Sequence, residues 1–196
     1  GVQFYVRNPH YDLLNATDQE IGAVKQRLAD LHLEASAICG ELGGHGFQIA
    51  AENPGKIAAT KRIIDIAERL ESPIVTTHIG VIPQDDTSPV YQAMLQAMTE
   101  LGRYALQHHL RLAIETGPEM PLVLRGFLEK TDGGVGANLD PANLVMVNNN
   151  DPVQAVYTLR KYMRHTHAKD GRMLRKGKRE VIYNAEGGFI QLPEGD

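Results

Sequence analysis

Cysteine is almost absent from this chain, with Cys39 as its single representative. One thiol rules out an internal disulfide framework and a thiolate-held zinc site, and it suits a reducing compartment such as the cytoplasm. Cys39 lies in an apolar run and reads as a buried structural thiol. An excess of one sign of charge is also missing. A net charge of −4 gives no general attraction to nucleic acid or to an anionic membrane. The local basic run from Arg172 to Arg179 reads as a solvated loop. No apolar stretch approaches the roughly 18–20 residues of a spanning helix, so no membrane partner is expected. Nucleotide signatures are missing too: GELGGHG lacks GxGxxG spacing, DGGVG is a helix-to-strand turn, and there is no P-loop and no GxSxG elbow. Neither a sequence repeat nor a low-complexity linker divides the chain, so residues 1–196 are expected to form one domain.

What the chain does have is alternation. Hydrophobic residues are 42% and charged residues 22%, enough apolar material for a substantial core. Strand-like segments GVQFYV, LEASAICGEL, PIVTTHIG, RLAIET, VGANLD and RHTHAK are separated by stretches of helical period. Helices are expected over residues 17–31 (capped by Thr17 or Asp18), 54–70, 89–109, 121–130 and 152–163, with KREVIYNAEGGFI as a hairpin on a loop. An alternating β-α pattern permits an open doubly wound sheet or a closed barrel.

The strand ends choose between them. Buried parallel strands are apolar and turn polar where their carboxyl ends emerge. RLAIE ends on Glu115 before Gly117 and Pro118; PIVTTHIG ends on His78, GVGANLDP on Asp140, and RHTHAKDG carries His165 and His167. Glu41, His78 and Glu115 are spaced 37 residues apart, with 25 more to Asp140 and 27 to His167. Possible ligands at the same end of many successive strands favour a (β/α)8 TIM barrel, which gathers all strand ends around one mouth.

Two carboxylates and an imidazole at one mouth predict a divalent-metal site, with Mn, Mg, Co or Zn all compatible. Each residue alone has a plainer explanation. Glu115 is then a rim charge, and Asp140 before Pro141 caps a turn. His165 and His167 share one strand face, and spacing alone does not say which meets the metal. His78, His45, Glu41 and Lys169 are candidates for contact with substrate hydroxyls.

The ordered set CGELGGHGF, THIG, ETGPE, NLDPANL and HTHAKDG resembles the xylose-isomerase-like TIM-barrel superfamily of sugar and sugar-phosphate isomerases and epimerases, over almost the whole chain. That resemblance implies a metal held by a Glu after the fifth strand, an Asp after the sixth, a His after the seventh and a Glu after the eighth. Glu115, Asp140 and His167 match the first three, and Glu115 is also implied as a catalytic acid/base. The implied reaction is proton transfer through an enediolate of a sugar or sugar phosphate. His165 is left as a substrate contact.

GVQFYV aligns with the second barrel strand, and LPEGD resembles the loop before the last helix and strand. The fold expected is therefore an incomplete barrel carrying strands two to seven, with the first and eighth missing. The chain is expected to be a fragment, or the ordered part, of a longer protein. Its two open edges invite pairing with another chain, hence a possible homo-oligomer. Asn143 stands three residues after Asp140, where ketose 3-epimerases and endonuclease IV carry His; it argues against a trinuclear zinc site and leaves Asn143 as a substrate contact. An endonuclease IV-like phosphodiesterase, a related dehydratase and an inactive binding remnant are the competing readings.

Overall fold

A computed structural model describes residues 1–148 and 150–171. The segment KREVIYNAEGGFI, expected as a hairpin, the basic run from Arg172 to Arg179 and the LPEGD terminus lie outside the described residues. Six parallel strands form one sheet in sequence order: β1 (Val2–Tyr5), β2 (Ala35–Cys39), β3 (Ile74–Thr77), β4 (Arg111–Glu115), β5 (Val135–Leu139) and β6 (Met163–Thr166). Every neighbouring pair is parallel, which requires a crossover between consecutive strands. Helices α1 (Asp18–Asp30), α2 (Asn53–Arg69), α3 (Pro89–Gln107), α4 (Pro121–Glu129), α5 (Pro141–Asn148) and α6 (Pro152–Leu159) supply those crossovers. A two-stranded ribbon, Arg7–Asn8 against Tyr11–Asp12, follows β1.

The sheet curls. β1 and β6 are its opposite edges and neither pairs with a further strand among the described residues. Yet Gln3 Oε1 of β1 lies 3.0 Å from His167 Nε2 just beyond β6. Side chains from the two edges meet across the concave face, as they do in the interior of a (β/α)8 barrel. The strands supply much of the core, with Ile38, Val75, Leu112, Ile114 and Ala137 buried, and α2 and α3 add Ile63, Ile64, Met94 and Leu101. No helix of the described residues is long and apolar enough to cross a membrane.

Local chemistry explains the element ends. Thr17, not Asp18, caps α1: its hydroxyl accepts from Glu20 N while the Glu20 carboxylate accepts from Thr17 N. Ser88 caps α3 with Pro89 in its first turn. The stretch after β5 differs from expectation. Sequence reading places its only helix at residues 152–163, whereas the structure has two short ones, α5 and α6, and the second stops at Leu159. PANLVMVN is apolar nearly all round and shows no stripe of helical period, so pattern alone misses α5. Pro141 opens it, and Asp140 Oδ1 accepts from Asn143 N at 2.9 Å, satisfying a first-turn amide.

Candidate metal and active site

Strand register brings the site together. Glu115 on β4 pairs with Asn138 on β5, and Asn138 pairs with His165 on β6. Register partners point to one face, so these three form a row on the concave side. Two residues further along, Asp140 and His167 form the next row above it. The pairing of β5 with β6 slips between Ala137 and Asn138, an irregularity that re-aims β6 at its rim. Gly136 belongs to the same passage: a Cβ there would collide with Tyr162 O and the Arg164 side chain, so only glycine lets β6 pass this close.

One ligand atom each from Glu115, Asp140 and His167 fall within 4.8 Å of one another. His167 Nδ1 lies 3.2 Å from Asp140 Oδ2 and 3.5 Å from Glu115 Oε1. Asp140 is wholly buried and Glu115 is 9% exposed. Three nitrogen and oxygen donors at this spacing, two of them anionic and shielded from water, suit a hard or borderline divalent ion. The plainer explanation of Asp140 holds at one of its oxygens: Oδ1 accepts from the first-turn amide of α5, while Oδ2 faces His167.

The electrostatics follow from the same contacts. Burial pushes the Asp140 carboxyl up, but hydrogen bonds from His167, Lys169 and the Asn143 amide outweigh it and hold it at about 2. His167 is raised to about 9, first by its hydrogen bond to Asp140 and then by Glu115, against a smaller opposing effect of burial. His165, by contrast, is lowered by burial and by the neighbouring His167. The two rings stand edge to face, 5.7 Å apart. Of the two histidines, His167 meets the carboxylates, while His165 turns its Nδ1 to Asn138 Oδ1 at 2.9 Å.

A cavity of about 600 Å³ opens beside these residues, and Glu41, His78, Glu115, Asn143, His165, His167 and Lys169 all line it. His78 is 48% exposed and its Nε2 lies 3.5 Å from Glu115 Oε2. The Glu41 carboxylate accepts from the backbone N–H groups of Gly43 and His78. Asn143 Nδ2 donates to Glu115 Oε1 at 2.8 Å. His45 is exposed on its loop and is not among the lining residues.

Four residues that sequence reading passed over belong to this neighbourhood. Gln3 accepts from Nε2 of His167 and is itself fixed by donating to Thr76 Oγ1 at 2.8 Å. Such a contact on the far nitrogen of a ligating histidine sets which nitrogen faces an ion. Asn138 lies between the two rings, its Nδ2 3.3 Å from His167 Nε2. Thr116 Oγ1 accepts from Asp140 N at 2.8 Å. Glu119 is buried; burial raises its carboxyl, and backbone N–H groups pull it partly back. A polar side chain inside an apolar strand, as in VQFY and VGANL, was the available signal for Gln3 and Asn138.

The family model described as xylose isomerase-like TIM barrel matches residues 1–194. The chain belongs to this family. The six parallel strands of the described residues are an open arc of the family's (β/α)8 barrel. Among solved structures it is similar to a xylose isomerase domain protein from Planctomyces limnophilus, at 25% identity and a TM-score of 0.77, covering 86% of this chain and 64% of that one. It is also similar to a D-tagatose 3-epimerase-like protein, at 17% identity and TM-score 0.71, over 86% of this chain and 66% of that one. A third is a xylose isomerase-like TIM barrel protein from Mycobacterium smegmatis in complex with magnesium, at 21% identity and TM-score 0.65, over 80% and 58%. The chain therefore spans less than two thirds of the length of these family structures. No protein of curated function matches it.

Proposed function

We propose that this chain carries the catalytic rim of a metal-dependent sugar or sugar-phosphate isomerase or epimerase. The observation that carries the reading is the convergence of Glu115, Asp140 and His167 within 4.8 Å beside an open cavity. Family membership supports it, as does the similarity to proteins described as epimerases and as a magnesium complex.

Glu115, Asp140 and His167 would hold the ion. When bound, it supplies Lewis acidity toward a substrate carbonyl and the hydroxyl beside it. The chain's own residues do the rest. Glu115 has two distinct oxygens: Oε1 is tied to Asn143 and faces His167, while Oε2 faces His78. In this reading Oε2, the oxygen on the His78 side, takes a proton from a substrate carbon and returns it. His78 is positioned to hydrogen-bond a substrate oxygen next to that carbon, and His165 and Lys169 offer further donors along the wall. Asn143 keeps Glu115 oriented through both states of the proton.

Deuterium wash-in from heavy water, followed by NMR on a panel of ketoses and ketose phosphates, tests this directly. Glu115→Gln should slow exchange at the reacting carbon by roughly 10²–10⁴-fold, the usual worth of a positioned acid/base. Exchange at the wild-type rate would remove Glu115 from the proton-transfer role.

A further inference from the structure

The lysine on the cavity wall also bears directly on the proposed metal centre. Lys169 follows His167 by two residues, and its ammonium lies 2.6 Å from Asp140 Oδ2 and 3.0 Å from Asn143 Oδ1. Asp140 Oδ1 is already committed to the Asn143 amide that opens α5. Oδ2 is therefore the oxygen Asp140 can offer an ion, and it is also the one Lys169 grips. Asn143 closes the ring by donating from its Nδ2 to Glu115 Oε1 while accepting from Lys169 on its Oδ1.

Burial gives this contact its weight. An exposed Lys–Asp pair contributes little, because water and salt screen it. Here the aspartate side chain is fully buried and the lysine side chain only 15% exposed, so the attraction is weakly screened. A divalent ion entering between Glu115, Asp140 and His167 must share Oδ2 with the ammonium or drive it off. Sharing places two positive charges within a few ångströms of each other; displacement breaks a buried ion pair. Either outcome weakens ion binding.

We infer that Lys169 is a built-in competitor for the metal, holding Asp140 Oδ2 until an ion displaces it. This rests on the proposed metal centre and adds a regulatory part to it. The pair has a structural use as well, since a buried carboxylate without a counter-charge is strongly destabilising. Once displaced, the ammonium stays tethered to the wall of the cavity it lines with Glu41, His78 and His165. There it can donate to an oxygen of the substrate in place of Asp140. Metal loading would in this way prepare the substrate pocket.

Calorimetric titration of Mn²⁺ into the chelator-treated full chain tests the competition, comparing wild type with Lys169→Met and Lys169→Arg. Met keeps the aliphatic stem without the charge, and Arg keeps the charge. Lys169→Met should bind Mn²⁺ on the order of tenfold more tightly or better, and Lys169→Arg should stay within about threefold of wild type. Without metal, Lys169→Met should melt below wild type, with the gap closing at saturating Mn²⁺. If Lys169→Met does not fold without metal, Lys169→Gln, neutral but still able to donate a hydrogen bond, should show the same tightening. Equal affinities across the series, or weaker binding by the neutral variants, would overturn the competition while leaving the metal centre standing. Failure of every variant to bind one Mn²⁺ per chain would overturn the metal centre itself, and the competition with it.

Discussion

Two clusters in this protein use nearly the same side chains. At the barrel rim stand Glu115, Asp140, His167 and Lys169. On the outer faces of α2 and α3 stand Asp65, Glu68, His108 and Lys61, joined by Tyr104. Both are well bonded: Tyr104 donates to Asp65 at 2.7 Å, His108 Nδ1 meets Glu68 at 2.9 Å, and Lys61 reaches Glu100 at 2.7 Å while lying 5.2 Å over the Tyr104 ring. The difference is where the groups come from. The helix cluster lies across two neighbouring cylinders whose charged ends open to solvent, with Glu68 48% exposed. The rim cluster is assembled from three strand ends that converge, and it alone brings three potential ligands within 4.8 Å among the described residues. Composition does not make a site; convergence away from water does.

The sharpest way to break this contrast is to remove the buried rim carboxylate. Asp140→Asn keeps the shape and the acceptor for the Asn143 amide but deletes the charge. It should lower Mn²⁺ affinity by more than the roughly 10–100-fold that loss of a partner behind a ligand costs. Calorimetric titration measures it, and an unchanged affinity would place the ion elsewhere.

A smaller effect should appear on changing pH. His167 is held at about 9 against an ordinary 6.5, so its protonated ring contributes stability that is fully present below pH 6.5 and lost as pH rises through about 9. Asp140, held at about 2 against 3.8, contributes stability present above pH 3.8 and lost as pH falls through about 2. The melting temperature of metal-free protein should therefore be nearly level between these windows. Above pH 6.5 it should fall by the equivalent of roughly 1–2 kcal/mol, after allowing for solvent screening of the ring. Metal uptake runs the other way. An ion needs the ring unprotonated, so affinity should climb about tenfold per unit toward pH 9. A pH-independent affinity would show that His167 is not a ligand.

The same contrast shows what a sequence can display. The rim was legible because each strand announces its end: an apolar run stops on Glu115, on Asp140 or at His167, and alternation orders the strands around one mouth. The family motifs then pointed to the second of the two histidines, and it is His167 that lies against Asp140 and Glu115. Gln3 was not legible. It sits 164 residues from His167 and meets it only because the sheet curls. Helix α5 was hidden by its uniform apolarity, and with it the double use of Asp140. Lys169 read as a substrate contact because nothing in HTHAKDG says that its side chain folds back onto Asp140. Local pattern reports elements and their ends; contacts made by curvature lie beyond it.

The smallest expected effect sharpens the comparison from the other side. Tyr104→Phe removes the hydroxyl that donates to Asp65, and His108→Ala removes the partner of Glu68. The hydrogen bond to Asp65 raises the Tyr104 phenol to about 12, with burial adding to it, so the phenol stays a donor across the working pH range. Its removal should cost about 0.5–1.5 kcal/mol, the net worth of one ordinary hydrogen bond, and less where solvent replaces the lost partner. His108→Ala should cost under about 1 kcal/mol, because its contact with Glu68 is open to solvent. Neither should alter Mn²⁺ affinity or its pH dependence, since among the described residues the bonds of this cluster stay within the layer of α2 and α3. Thermal melts and metal titrations on the two variants measure both quantities. A change in metal binding on losing His108 would mean that the helix layer is coupled to the strand ends through α2 and α3, and that the two clusters are one system.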